Sequence, residues 1–152
     1  MKNMELLIDT NIVIDWALDR KPFANDAREL INLCVQGLVN GHLAGHTLLN
    51  FFYITRKDLP LEKRKNFLQI LCEHFWIVDI SADMVLEVLE WEHFRDLEDD
   101  LQIKCAQTGN VDYIITRDSA GFANAGILTL SPNEFLKMQR MGGKTNELGK
   151  LS

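Results

Sequence analysis

The order of apolar and polar positions divides the chain into short apolar runs that alternate with amphipathic segments. Residues 6–8, 42–46, 76–80, 113–116 and 127–130 have the length and composition of short, largely buried strands. The segments between them carry apolar residues at helical spacing, as at Ala27, Leu30, Ile31, Cys34 and Leu38. Five strands that alternate with helices predict an α/β fold, in which helices cover both faces of a mostly parallel central sheet.

Turn and capping residues place the ends of several predicted helices. Asn40-Gly41 is a stop signal for the helix before it, Thr47 is a candidate cap for the helix after it, and another helix is predicted to begin at Ser81. Residues 131–134, Ser-Pro-Asn-Glu, have the sequence of a capping box with proline at the first helical position. Residues 141–152 show no period, so we expect a single domain of residues 1–140 followed by a flexible tail.

Length and composition fit one globular domain without disulfides or zinc. A domain the size of this 152-residue chain buries roughly 70% of its unfolded surface, which is enough for one core. Cys34, Cys72 and Cys105 are far apart in apolar helical surroundings, and we expect them to be inert core residues. No apolar run approaches the ~18 residues that span a membrane, and no signal-peptide pattern is present. We therefore expect a cytoplasmic protein.

The net charge of −6 argues against a protein that binds nucleic acid only through a basic surface. A cluster of metal-binding carboxylates would itself make the total negative, however, while basic residues line another face. Arg56-Lys57 and Lys63-Arg64-Lys65 are candidates for such a face, although runs of this density also occur as ordinary solvated helix surface.

Three acidic residues are expected at one edge of the sheet. Asp9 directly follows the first strand, Asp118 follows the fourth, and Asp99 lies in the first turn of the helix that leads into the fourth. Open α/β sheets bind ligands at the carboxyl ends of their strands. Asp9 taken alone also suits a helix cap. Three carboxylates at one edge repel one another, and a bound divalent cation, which prefers oxygen ligands, removes that conflict.

These acidic residues belong to five motifs that lie between about residue 5 and residue 137. They are Leu-Leu-Ile-Asp-Thr-Asn at 6–11 with Asp15, Thr-Leu-Leu-Asn-Phe-Phe-Tyr at 47–53, Asp-Leu-Glu-Asp at 96–99, Asp-Tyr-Ile-Ile-Thr-Arg-Asp at 112–118 with Phe122, and Leu-Ser-Pro-Asn-Glu-Phe-Leu at 130–136. In this order and spacing the set resembles the PIN-domain family, which includes many toxin ribonucleases of bacterial and archaeal toxin–antitoxin pairs. The resemblance implies a PIN-like three-layer α/β/α sandwich and an endoribonuclease that depends on Mg²⁺ or Mn²⁺.

The resemblance also assigns roles to individual residues. Asp9, Asp99 and Asp118 match three positions of the family's acidic cluster and are implied to hold the metal. The remaining position, usually a Glu on the helix after the second strand, is Asn50 here. Its amide can orient a water but carries no charge and cannot act as a base, so the strength of metal binding is in question. Asp96 or Asp100 is a candidate for the missing charge.

Residues beside this cluster have two interpretations each. Thr116 and Arg117 lie next to the metal edge and are candidates for phosphate contacts, while Arg117 equally suits an ion pair with a carboxylate. Asp15 suits a tether for the first helix or for a neighbouring basic group more than a metal ligand. The aromatic run at residues 51–53 is expected to pack in the core rather than to stack on bases.

Partners implied by the resemblance are RNA, an antitoxin protein and a second copy of the chain. Two other classes of phosphoryl-transfer protein fit less well. Receiver domains need an acidic pair ending the first strand, where Leu7-Ile8 stand here, and haloacid-dehalogenase-like phosphatases need a second Asp where Asn11 stands. An inactive PIN scaffold that binds RNA or protein without cleavage is the main alternative, favoured by Asn50 and by the acidic net charge.

Overall fold

The computed structural model describes residues 2–150, and the side chains of residues 2–142. Its centre is a sheet of five strands: β1 (Glu5–Ile8), β2 (Asn40–Ala44), β3 (Trp76–Val78), β4 (Tyr113–Ile115) and β5 (Thr129–Leu130). The strands lie in the order β3-β2-β1-β4-β5, and every neighbouring pair is parallel. The predicted five-stranded sheet is confirmed, and its strands are all parallel rather than mostly so.

Helices connect the strands and cover both faces of the sheet. They are α1 (Thr10–Leu18), α2 (Ala24–Val35), α3 (Gly45–Ile54), α4 (Leu61–His74), α5 (Ala82–Leu89), α6 (Leu97–Thr108) and α7 (Pro132–Lys150), with 3₁₀ turns at Thr55–Lys57 and Ser119–Phe122. Alternate side chains of β1 enter two separate cores. Leu6 and Ile8 pack with α1, α2, α3 and α7, whereas Leu7 packs with α6. The predicted three-layer α/β/α arrangement is confirmed.

The stop signal predicted at Asn40-Gly41 is wrong. Helix α2 ends at Val35, and the chain turns at Gly37, whose φ of +74° is open to glycine because it has no Cβ. Asn40 and Gly41 then belong to β2, which pairs with β1. Gly41 is needed for space rather than for a turn, because a Cβ at this position would lie 2.6 Å from the Phe75 ring.

Two further boundaries differ from expectation because tertiary contacts override local signals. Thr47 does not cap α3, which begins at Gly45; its buried hydroxyl instead hydrogen-bonds that of Thr10 at 2.8 Å. The run at residues 76–80 was expected to be a buried strand, yet β3 is an edge strand of three residues whose Trp76 is 65% exposed. The last strand is also shorter than the predicted run at 127–130.

The cysteines follow the prediction at two of three positions. Cys34 and Cys105 are buried, and burial raises the pKa of each thiol to about 12, so both are inert at neutral pH. Cys72 is exposed on α4, next to the fully buried Leu71. The apolar surroundings of Cys72 in sequence therefore predicted the wrong face of that helix.

Serine side chains cap two helices, and the one at Ser131 confirms the predicted capping box. Ser81 accepts a hydrogen bond from the backbone N–H of Met84 at 3.2 Å. At the start of α7, Ser131 Oγ accepts from the Glu134 N–H at 3.1 Å, and the Glu134 carboxylate accepts from the Ser131 N–H at 3.0 Å. This is the reciprocal capping box.

The predicted tail at residues 141–152 overlaps the end of α7, which continues to Lys150. Side chains beyond residue 142, and residues 151–152, lie outside the described residues, so the flexibility of this tail stays a prediction. In the described part of the chain, no helix combines the length and the hydropathy needed to cross a membrane.

We expect Ser131→Ala to lower the free energy of unfolding by about 1 kcal/mol, because it removes the acceptor for the first turn of α7. Ser131→Asp keeps an acceptor and serves as the matched control in urea denaturation. The hydrogen bond from the Ser131 backbone lowers the pKa of Glu134. The stability that this hydrogen bond to the Glu134 carboxylate contributes is therefore present at neutral pH, and it is lost as the pH falls through the lowered pKa of Glu134. Equal stability of the Ala and Asp variants would contradict the role of this cap.

Candidate metal and active site

The strand order places a ligand-binding crevice between β1 and β4. From β1 the chain proceeds to β2 and β3 on one side, while β4 and β5 lie on the other. Ligands in open α/β sheets bind at such a reversal, outside the carboxyl ends of the strands. Asp9 follows β1 and Thr116 follows β4, so both residues lie at this edge.

The Asp9 carboxylate is held by two side chains. It is only 4% exposed, and it accepts hydrogen bonds from Thr116 Oγ1 at 2.8 Å and from Gln102 Nε2 at 3.1 Å. Its backbone N–H donates to the Ile115 carbonyl at 3.0 Å, which extends the pairing of β1 with β4. Asp9 makes no side-chain bond to the free amides of α1, so the interpretation as a helix cap is wrong.

Thr116 links Asp9 to Asp118. The Asp118 N–H donates to Thr116 Oγ1 at 2.9 Å, while the same hydroxyl donates to Asp9. The exposed Asp118 carboxylate accepts a long hydrogen bond from the Gly121 N–H at 3.4 Å, which turns it back toward the 3₁₀ turn. Thr116 is thus a positioning residue for two of the predicted acids rather than a group free to meet phosphate.

Asp99 completes the predicted set from the first turn of α6. Asp96 precedes this helix and caps it by accepting from the Asp99 N–H at 2.9 Å. A Cβ built on Gly121 would lie 3.1 Å from Asp99 Oδ2 and 3.1 Å from Asp118 Oδ2. The two carboxylates therefore face the same small gap, which is open because position 121 has no side chain.

The surroundings of Asp99 disfavour its charged form. Burial, followed by the negative charges of Asp96, Asp9, Glu98 and Asp118, raises the pKa of Asp99 to about 6. In the described part of the chain, no Lys or Arg forms an ion pair with Asp9, Asp99 or Asp118. The structure thus brings the three predicted acids together and leaves their mutual repulsion without a basic partner.

Gln102 is a site residue that the sequence analysis missed. It lies one turn after Asp99 on the same face of α6, which is the signal that could have found it. It is 1% exposed, and because Asp9 can only accept, its Nε2 must point to Asp9. Its Oε1 then points away and has no hydrogen-bond partner among the described residues. A buried acceptor without a donor suits a water or another polar ligand in the site.

Asn50 lies on α3, and the structure shows no contact between it and the acids. It is half-buried on α3, and its side chain makes no hydrogen bond to any residue that the structure describes. One turn earlier, His46 Nε2 donates to the Glu98 carbonyl at 3.1 Å, which joins the first turns of α3 and α6. Asn50 follows His46 by four residues and shares its face of the helix.

The remaining candidates have structural partners. Asp100 is buried and accepts from the Arg95 N–H at 3.0 Å. Arg117 pairs with Asp15 through two hydrogen bonds, at 2.7 and 3.2 Å, and with no acid of the cluster. Of the two interpretations of Asp15, the structure shows the pairing with a neighbouring basic group. In the aromatic run, Phe51 is fully buried while Tyr53 is 63% exposed, so only part of it packs in the core.

The donor chemistry of this edge fits a divalent cation. A cleft of about 330 Å³ is lined by Asp96, Asp99, Asp100 and Asp118 with Arg95 and Gly121. Among the described residues, no three Asp, Glu, His or Cys side chains are preassembled as a metal-binding group. The unpaired Gln102 oxygen, the gap at Gly121 and the raised pKa of Asp99 nonetheless fit an oxygen-ligated cation, since it would offset the charge of the three acids.

Comparisons with known proteins agree with this architecture. A PIN domain family model matches residues 5–120. The structure of VapC20 from Mycobacterium tuberculosis, described as a Sarcin-Ricin loop cleaving toxin, has a TM-score of 0.66 at 14% identity, covering 84% of this chain and 99% of that one. VapBC2 from Rickettsia felis, bound to a DNA fragment from its promoter, has a TM-score of 0.64 at 16% identity, with coverages of 84% and 98%. FitAcB from Neisseria gonorrhoeae has a TM-score of 0.59 at 16% identity, with coverages of 84% and 97%.

No curated protein matches the chain by sequence. At identities of 14% to 16%, the likeness to these solved structures shows the fold. The identity of the site residues in this chain therefore depends on their own geometry.

We expect Asp99→Asn to raise the melting temperature of the metal-free protein by about 2–4 °C, which corresponds to roughly 1 kcal/mol for a domain of this size. The physical reason is that it removes one of several carboxylates that repel each other. The measurement is thermal unfolding in EDTA at neutral pH, with the exposed Asp58→Asn as the control for loss of a charge elsewhere. A lower melting temperature for Asp99→Asn would show that the acids are not in conflict.

Proposed function

Because the chain belongs to the PIN-domain family, we propose that it is a metal-dependent endoribonuclease that hydrolyses RNA phosphodiester bonds. The observation that carries the proposal is that Asp9, Asp99 and Asp118 gather at the switch point of the sheet and form no ion pair with any described Lys or Arg. A structural cluster of carboxylates would cost stability for no gain. The same cluster is useful when it holds Mg²⁺ or Mn²⁺.

The chain's own residues have distinct roles in this proposal. Asp9 and Asp99 hold the principal cation, and Asp118 completes the site. A cation at this position supplies a more acidic water and stabilises negative charge on the phosphoryl group. Gln102 and Thr116 fix the Asp9 carboxylate so that one orientation is available for binding. Asn50 orients a water from α3 without adding charge.

We extend the proposal to the partners of this protein. The structural neighbours include VapBC2 and FitAB bound to DNA fragments, and a toxin that cleaves the Sarcin-Ricin loop. By analogy, we propose that this chain acts on RNA in the cytoplasm, pairs with an antitoxin protein and forms a homodimer. Fold analogy alone supports these partners.

An inactive scaffold is the competing function, favoured by Asn50 and by the lack of a preassembled three-ligand group among the described residues. Such a protein would bind RNA or a protein partner through the same fold without cleaving. It differs from the enzyme in two measurable respects, since Mn²⁺ gives it no activity and little thermal stability.

We expect Asp9→Asn, Asp99→Asn and Asp118→Asn each to lower Mn²⁺-dependent cleavage of RNA by about 100-fold or more, the scale on which loss of one charge-stabilising group acts. Cleavage is followed on labelled RNA of mixed sequence, and circular dichroism checks that each variant is folded. Asp58→Asn, on the exposed turn after α3, is the control and should cleave like the wild type. A wild-type protein that leaves the RNA intact at millimolar Mn²⁺ would favour the inactive scaffold.

We expect Gln102→Met to weaken Mn²⁺ binding by about 10–100-fold, the usual cost of removing a group that orients a metal ligand. Methionine fills a similar volume but cannot donate to Asp9. The dissociation constant is measured by calorimetry, without RNA, so the result does not depend on activity. The exposed Gln107→Met, on the same helix, is the matched control. Equal Mn²⁺ affinity for the Gln102 and Gln107 variants would remove Gln102 from the site.

A further inference from the structure

A second cleft lies at the same edge of the sheet, on the opposite side of the β4 end from the acids. It has a volume of about 260 Å³ and is lined by Phe23, Asp26, Arg117, Ser131, Pro132 and Asn133. Sites for drug-sized ligands span roughly 300–1,000 Å³, so this cleft suits one small ring system. Its walls combine an aromatic ring and a proline with a few polar groups, which is the usual composition of a binding pocket.

Arg117 is held rigidly in this cleft. Its Nε and Nη2 donate to the Asp15 carboxylate at 2.7 and 3.2 Å, and Asp15 is fully buried. The guanidinium carbon lies 3.9 Å from the centre of the Phe23 ring, in a cation–π contact. Nη1 has no partner among the described residues, so its N–H groups are available to a ligand.

The Asp15–Arg117 pair alone would tie α1 to the end of β4, and it explains neither the cleft nor the exposed ring. Phe23 is 40% exposed although it contacts an ion pair whose acid is fully buried. Because the Arg117 guanidinium lies over one face of the Phe23 ring, a base would stack on the outside of this pair. Nucleobases stack on both aromatic rings and guanidinium planes in proteins that bind single-stranded RNA.

The cleft and the acidic site are lined by neighbouring residues of the chain. Arg117 and Asp118 are consecutive, yet their side chains diverge: Arg117 turns to Asp15 on α1, and Asp118 turns to Gly121 beside Asp99. An RNA strand that crosses this edge would therefore meet the acids on one side and the Phe23–Arg117 cleft on the other.

We propose that the cleft formed by Phe23, Arg117 and the start of α7 binds one nucleobase of the RNA strand next to the phosphate at the acidic site. This inference rests on the proposed function for its substrate class. Phe23 and Arg117 form the stacking surface, and Nη1 of Arg117 donates to the bound nucleotide.

The test is the affinity of the full-length protein for a fluorescein-labelled RNA of twelve uridines, measured by anisotropy in EDTA so that no metal-dependent cleavage occurs. Phe23→Ala should weaken binding about tenfold, within the range for loss of one base–aromatic stack. Phe23 is exposed, so this variant keeps the fold, and Trp76→Ala is the matched control because it removes an exposed aromatic at the start of β3. Phe23→Trp should restore binding.

A second arm uses RNAs with a single abasic nucleotide moved along the strand. One abasic position should weaken binding to the wild type about tenfold and leave binding to Phe23→Ala unchanged, which identifies the base that Phe23 contacts. The proposal is overturned if Phe23→Ala binds like the wild type, if abasic positions act equally on both proteins, or if only the affinity for an antitoxin changes. If the wild type cleaves RNA with Mn²⁺ but Phe23→Ala binds RNA normally, this cleft is rejected and the proposed nuclease is not. If the wild type does not cleave RNA but Phe23→Ala binds RNA more weakly, the proposed nuclease is rejected and this cleft is not.

Discussion

The parallel pairing of β1 with β4 is the interaction on which the site depends. These two strands bring together side chains that are more than a hundred residues apart, as in the bond from Thr116 to Asp9. Because both strands are buried on each face, a shift of register would expose apolar residues, so the alignment of the strand ends is fixed by the core. The packing of the sheet therefore fixes the positions of the acidic residues at the strand ends.

The three acids could be predicted from the sequence because topology alone gathers residues that follow parallel strands. Asp9, Asp99 and Asp118 needed only the order of strands and helices. Gln102 could not be identified in that way, since a glutamine in a helix has no signature until its partner is known. The Phe23–Arg117 cleft was missed for a related reason: it is formed by a loop, the end of a strand and the start of α7, which no local pattern links.

Helix and strand boundaries show where local signals fail. Asn-Gly usually marks a turn, but Asn40 and Gly41 are in β2 because the pairing with β1 and the close approach of Phe75 decide their conformation. Cys72 shows the same limit for burial, since one residue of error in helical phase moves a side chain from the core to solvent. By contrast, the capping box at Ser131 was predictable because both of its bonds are local.

The gap at Gly121 has a consequence for the sequence of this protein. Even a methyl group there would crowd two carboxylate oxygens, each 3.1 Å away, although the position is only half-buried and belongs to a short turn. The Asp118 carboxylate is held by its hydrogen bond from the Gly121 N–H, so a side chain at position 121 would push against a group that is already fixed on one side. Any residue larger than glycine at position 121 therefore requires the two carboxylates to shift, in a segment where loops otherwise tolerate replacement.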